Sequence, residues 1–377
     1  MNVLIVSGIW PPDVGGPASH APEIAAYLLA AGHQVEVVVT ADQPPAAAGY
    51  PIYYVSRRIP VGARHLAVSS LIARHARSND VVYATSMLGR ASVASAVVRR
   101  PLVVKLVADE AYERARRRGL FHGDLNAFQE APGDLRIRAL RRARDAGLRR
   151  VDHLVSPSAY LAGLAVTWGV PPERVTTLPN PAPVLPSLAS REELREQLGF
   201  VGPTLAFAGR ITRQKALGVA LAAVKTLDGV NLVIAGDGPD LPAVRNRALE
   251  LGLGERVRFV GALSRQGVLE LFRASDASVI SSEWENFPHT VVEALAAGTP
   301  VIATAVGGVA EIVSDGENGL LVPPGDATAL AEAIGRFLAD DELSARLRAA
   351  AAPSVEQLRP EIVYRKLELI LISASHR

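Results

Sequence analysis

Short runs of apolar, often β-branched residues alternate along this chain with longer stretches of helical periodicity. Residues 3–6 (VLIV), 35–39 (VEVVV), 81–84 (VVYA), 102–107 (LVVKLV) and 153–156 (HLVS) read as strands of the first half. Runs with little polar alternation are the kind a parallel sheet buries on both faces. A loop carrying Pro11, Pro12, Gly15 and Gly16 follows the first strand. Ile24, Leu28 and Leu29 then mark a helix that Gly32 should close. The alternation predicts a doubly wound α/β domain.

Residues 179–189 (PNPAPVLPSLA) hold four prolines and no periodicity, and read as an interdomain linker. The pattern then restarts. Strands are expected at 204–208, 231–235, 257–260, 277–280, 300–304 and 319–322, with helices at 216–226, 241–251, 266–274 and 290–297. This predicts an N-terminal domain over 1–180, a C-terminal domain over 181–355, and a final amphipathic helix over 356–377, whose domain the pattern does not settle and for which packing back on the first domain is one option. Two such domains in sequence predict a ligand cleft at the carboxyl ends of their strands.

Composition narrows the class. At 49% apolar and 21% charged the chain is an ordinary globular one. It has no cysteine, which excludes disulfides, thiolate metal sites and cysteine nucleophiles. A net charge of +2 is too small for a dedicated nucleic-acid binder. The opening MNVLIVSGIW lacks a basic n-region and runs into Pro11-Pro12, so it does not read as a signal peptide. The uncharged stretch 294–310 is broken by Gly298, Pro300 and Gly307-Gly308 and does not read as a membrane span. A cytoplasmic protein is expected. Only four cations are lysine, at 105, 215, 225 and 366. Residues 99–150 carry 14 basic and 7 acidic residues, which equals the surplus of the whole first half. That excess is either a solvated arginine-rich surface or a contact for an anionic acceptor or an anionic membrane face.

The segment 281–298 (SSEWENFPHTVVEALAAG) follows an expected strand and opens an expected helix. Glu285 falls in the loop and Glu293 one turn inside the helix. The N–H groups of residues 287–290 lie at the helix start, where they suit a diphosphate or sugar hydroxyls. Gly209-Arg210 follows the first strand of the second domain, with Lys215 at the start of the next helix. Together the two cations make a diphosphate clamp. Gly236 and Val260 sit in or beside the next two loops of that edge, where main chain could hold a base. Gly15-Gly16 is not a Gly-x-Gly-x-x-Gly fingerprint, and there is no Gly-x4-Gly-Lys-Ser/Thr. No Asp-x-Asp occurs either, so no metal is expected and charge neutralisation falls to Arg210, Lys215 and helix ends.

The order Gly15-Gly16, Gly209-Arg210 with Lys215, Glu285-Asn-Phe-Pro with Glu293, and GTPVIAT-VGG-EIV-DGENGLLVPPGD over 299–326 resembles the family-4 retaining glycosyltransferases. The segments 101–119 and 153–161 are similar to that family as well. The resemblance implies the GT-B architecture, two facing Rossmann-like domains about a cleft, with a nucleotide-sugar held mainly by the second. Carried over, it implies that Arg210 and Lys215 bind the diphosphate, Glu285 the donor sugar and Glu293 the ribose. Gly15, Gly16, Gly209, Gly236, Val260, Asn286, Phe287, Pro288, His289 and Thr290 would contribute to donor binding, largely through main chain. His20 falls where the family often has histidine. Asp109 would orient the acceptor hydroxyl, or else cap the following helix. The family's hinge Asn-Gly-x-Asp is Asn180-Pro181-Ala182-Pro183 here, and Asn180 is expected only to end a strand.

The resemblance implies transfer of a hexosyl unit with retention, without cofactor or metal, UDP-sugars being favoured over GDP- or ADP-sugars. The acceptor, anionic or lipid-linked, would be met by a protein peripheral at the inner membrane face. A sugar-nucleotide epimerase on the same architecture, or a non-catalytic nucleotide-sugar-binding protein, is the alternative. A phosphorylase would need a pyridoxal-phosphate lysine, and an absorbance band of such a Schiff base would reveal it.

Overall fold

A computed structural model describes residues 1–13 and 16–376, and of residues 16–19 the main chain only. It divides the chain into two compact units, Met1–Pro179 with the chain from Val363 onward, and Asn180–Ile362.

In the first unit the elements run β1 (Asn2–Ser7), α1 (Gly16–Ala30), β2 (Gln34–Ala41), β3 (Ile52–Ser56), α2 (Val61–Ala76), β4 (Val81–Ala84) and α3 (Leu88–Val98). They continue through β5 (Leu102–Lys105), α4 (Glu110–Arg117), α5 (Leu125–Glu130), α6 (Leu135–Leu148), β6 (His153–Ser156), α7 (Ala159–Thr167) and β7 (Val175–Thr177). The described strands form one parallel sheet in the order β3-β2-β1-β4-β5-β6-β7. Chain order reverses between β1 and β4, the switch point where open α/β sheets take ligands. Val3, Ile5, Tyr83 and Val103 pack on one face with α1 and the C-terminal helix. Leu4, Val82 and Val104 pack on the other with α2, α3 and α7.

The second unit holds α8 (Arg191–Leu198), β8 (Thr204–Ala208), α9 (Leu217–Lys225), β9 (Asn231–Ala235), α10 (Leu241–Glu250), β10 (Val257–Gly261), α11 (Arg265–Ala274) and β11 (Ala277–Ile280). After these come α12 (His289–Ala296), β12 (Val301–Thr304), β13 (Gly319–Val322), α13 (Ala327–Ala339) and α14 (Asp341–Ser354). The final helix, α15 (Pro360–Ser375), begins here and runs into the first unit. Its described strands make a parallel sheet in the order β10-β9-β8-β11-β12-β13, with the switch point between β8 and β11. Fully buried strands such as β8 and β11 are what the short apolar runs demanded.

Within the first unit, α15 is fastened to α1. The Tyr364 hydroxyl donates to Glu23 at 2.6 Å, and Glu368 receives Tyr27 and sits 2.8 Å from His33. Among the described residues no helix is long and apolar enough to cross a membrane.

Candidate active site

The loops that follow β8 and β11 flank the switch point of the second unit, and side chains stitch them together. Lys215 Nζ lies 2.5 Å from Glu285 Oε1, an ion pair spanning 70 residues of sequence. Ser282 Oγ donates to the same carboxylate oxygen at 2.7 Å, and Ser281 Oγ donates to the Lys215 carbonyl at 2.9 Å. Gln214 binds the Trp284 carbonyl, and the Glu283 N–H reaches the Gln214 carbonyl. Glu285 is 5% exposed, so its charge is largely withdrawn from water and depends on these partners. The loop after β12 closes the arrangement. Gly307, at φ +51°, lies so close that an added Cβ would fall 1.8 Å from the Glu285 carbonyl oxygen.

One expectation is corrected here. Lys215 does not start a helix. It ends a single 3₁₀ turn, Arg213–Lys215, and Ala216 then takes a left-handed conformation at φ +45° before α9 begins. A non-glycine residue held there stores strain, and such strain persists only where surrounding contacts over-determine it. Its effect is to turn Lys215 toward the β11 loop. Arg210 is exposed, and among the described residues no hydrogen bond or ion pair holds it. The two expected clamp cations are thus in different states, one engaged with Glu285 and one unengaged.

At α12 the expected helix start moves by one residue, to His289, with Pro288 at the N-cap. Proline gives no side-chain cap, so the helix end keeps its positive character. Asn286, Phe287 and Pro288 are buried, whereas His289 and Thr290 are half-buried. Glu293 sits one turn in, with its Oε1 3.9 Å from Arg265 Nε of α11. Asn180 does more than end a strand. It is buried, and its Nδ2 donates to the Phe287 carbonyl at 3.3 Å, tying the chain after the first unit to this loop.

Gly209 and Gly236 belong to loops packed on each other. The Gly209 N–H donates to the Ala235 carbonyl at 3.0 Å, and that of Gly236 to the Gly261 carbonyl at 2.7 Å. Their main-chain donors are therefore used on the ends of the neighbouring strands β9 and β10. Gly236, at φ +138°, allows its loop to approach so closely that a Cβ there would stand 1.9 Å from the Gly209 carbonyl oxygen. Val260 lies on β10 and is 37% exposed.

In the first unit Gly15 lies outside the described residues, and Gly16 opens α1. His20 is buried, with Nε2 2.8 Å from the Tyr83 hydroxyl and Nδ1 3.4 Å from Lys105 Nζ. Sequence reading passed over Lys105 because it hides in an apolar run; the charge in that run was the available signal. Burial pushes its ammonium down to about 7. Asp109 is fully buried and takes the capping alternative. Its Oδ1 accepts from the N–H of Ala111 and Tyr112, and its Oδ2 takes Gln129 and, at 2.6 Å, Arg144.

Arginines of the basic segment divide in the same way. Arg144 is buried over the Trp168 ring, and Arg141 covers Phe128 and binds the carbonyls of Phe128 and Ala131. Buried Arg144 and half-buried Arg141 both fasten α6 to its neighbours. Arg136, Arg138, Arg142, Arg149 and Arg150 remain exposed.

Comparison with known proteins identifies the family and the fold. Residues 190–353 match the family described as glycosyl transferases group 1, and residues 15–181 match the glycosyl transferase 4-like domain. A glycogen synthase of Mycobacterium tuberculosis is 28% identical over 93% of this chain and 89% of its own. A D-inositol 3-phosphate glycosyltransferase of Xylanimonas cellulosilytica is 38% identical over 45% of this chain and 42% of its own. Among solved structures, Anabaena HepE in complex with UDP superposes with a TM-score of 0.80 at 21% identity, covering 99% of this chain and all of that one. Sucrose-phosphate synthase of Thermosynechococcus elongatus gives 0.82 at 21% identity, covering 99% and 98%. With both units matched in order, this chain belongs to the group 1 glycosyltransferases, is 4-like in its first domain, and has the GT-B fold of two Rossmann-like units.

Proposed function

We propose that this glycosyltransferase moves a hexosyl unit from a nucleoside-diphosphate sugar to an acceptor hydroxyl, with retention at the anomeric carbon and without a metal ion. The observation that carries the reading is the Lys215–Glu285 pair at the switch point of the second unit, beside the uncapped start of α12. A cation and a carboxylate held together there offer opposite chemistries to the two halves of one donor. Lys215 and Arg210 complement the charge of the leaving diphosphate, and the α12 N-terminus adds main-chain donors. Glu285 accepts hydrogen bonds from hydroxyls of the donor sugar, and Glu293 those of the ribose. No side chain is then needed as nucleophile, because the departing diphosphate can take the acceptor's proton. The neighbours bound to UDP favour a uridine donor.

For the acceptor we favour an anionic or lipid-linked molecule, met at the cytoplasmic face of an anionic membrane. The exposed arginines of α6 support this, as does a relative whose name, D-inositol 3-phosphate glycosyltransferase, carries a phosphorylated, anionic compound. The test is incubation with UDP-, GDP- and ADP-sugars in EDTA, read by proton NMR at the anomeric position. An α-linked product from an α-linked donor is expected. An isomerised sugar nucleotide would indicate the epimerase instead, and strict dependence on Mg²⁺ or Mn²⁺ would remove the metal-free site.

A further inference from the structure

Lys105 closes β5 with its side chain on the face shared with α1 and α15, and no feature of the donor site uses it. It is 6% exposed, and among the described residues no carboxylate stands within ion-pair distance. Its hydrogen-bond partner is His20 Nδ1, whose ring reaches on to the Tyr83 hydroxyl through Nε2. A buried ammonium facing an imidazole is costly, and a methionine would fill the same space without that cost. Lys105 stands at the carboxyl end of β5, the strand beside β4 of the β1/β4 switch point, and its partner His20 lies on the helix that Gly16 opens.

We propose that Lys105 is a positioning residue for sugar transfer, donating to Nδ1 of His20 so that the ring keeps its hydrogen on Nε2 toward Tyr83 and fixes the first turns of α1. The proposal rests on the glycosyltransferase reading and on the first unit as the acceptor side. Among the described residues, the other ionisable groups facing the pair include Glu23 on α1, Tyr83 on β4 and Tyr364 on α15. Glu23 attracts the Lys105 charge and accepts the Tyr364 hydroxyl, while Tyr83 is held neutral by burial. Glu368, with His33, Tyr27 and Arg365, forms a separate cluster between α1 and α15.

Two cations 3.4 Å apart in the interior repel, so the Lys105–His20 pair carries one positive charge rather than two. Below neutrality the ammonium holds that charge and imposes the ring orientation. Above it the neutral amine can donate or accept, and the imposition fades.

The experiment compares wild type with Lys105→Met and Lys105→Arg from pH 6 to pH 9. One readout is the imidazole ¹⁵N spectrum, with His20 assigned through His20→Gln; the other is acceptor kinetics with a saturating donor. In wild type the His20 Nδ1 signal should step near neutrality while keeping the pattern of a neutral ring, and Lys105→Met should remove the step. At pH 6, about one unit below the Lys105 transition, kcat/KM for the acceptor should fall about tenfold in Lys105→Met and approach wild type at pH 8. Lys105→Arg should restore the low-pH spectrum. A His20 signal flat in wild type, or stepping identically in Lys105→Met, overturns the proposal whether or not transfer is seen. Absence of transfer in wild type with the step present overturns the functional reading and leaves the pairing intact.

Discussion

Replacing Lys215 by Met removes a charge and keeps most of the volume, so it isolates what the ion pair does. The Glu285 side chain it abandons is 7% exposed and retains Ser282 as a donor; the Lys215 side chain is 17% exposed. Breaking a fully buried pair by removing one partner costs about 3–5 kcal/mol, whereas an exposed pair is worth about 0–1. Partial access of water to Lys215 places this pair between the two ranges and nearer the first, so Lys215→Met should lose about 2–3 kcal/mol. Glu285→Gln in the Met background removes the stranded charge and should recover most of it, giving a coupling of about 2 kcal/mol in the double-mutant cycle. Urea unfolding followed by tryptophan fluorescence measures this, since Trp284 sits in the loop being freed. A coupling below about 0.5 kcal/mol would mean that the 2.5 Å contact does not order the site, and the reasoning would be wrong.

Gly236→Ala places a Cβ 1.9 Å from the Gly209 carbonyl at φ +138°; it should cost at least about 2 kcal/mol and weaken nucleotide binding, by urea melt and calorimetry. Lys105→Met should stabilise the protein. The ammonium is pushed down from 10.5 to about 7, so the folded state pays the full cost of its charge below pH 7 and none above about pH 10.5. The advantage of the variant should therefore shrink by about 1.4 kcal/mol per pH unit across that window, measured as the difference between paired urea titrations. Asp109→Ala should cost about 3–5 kcal/mol, because α4 loses its cap and Arg144 its 2.6 Å partner, while Asp109→Asn keeps the cap and should cost less; chemical denaturation separates the two.

The switch-point loops were legible because glycines, prolines and scarce charges cluster where strands end. Gly209-Arg210, Lys215, Glu285 and Glu293 could be placed at one end of the sheet from the strand–loop–helix pattern around them, which spacing alone did not do. Their pairing could not, since Lys215 meets Glu285 through a strained turn at Ala216 that no propensity announces. Edge strands also escaped. β3 has polar and half-buried positions, and β7 is three residues long, too short for any period to register. The arginine-rich segment read as surface or docking charge because composition does not report burial. Arg141 and Arg144 instead cover Phe128 and Trp168, which lie 13 and 24 residues away in sequence. Asp109 shows the same limit. A residue just past a strand end caps a helix or faces a ligand with equal plausibility until its N–H partners are seen.

The central question is whether the second unit's switch point holds a nucleoside diphosphate by its cations. Titration calorimetry of UDP, GDP and ADP in EDTA, on wild type, Arg210→Ala and Lys215→Met, tests that directly. One nucleotide, UDP by preference, should bind wild type without metal, and each substitution should weaken it about tenfold or more, as expected for a charge-assisted contact worth about 1.5–3 kcal/mol. Failure of all three nucleotides to bind wild type, or undiminished binding in both variants, would contradict it.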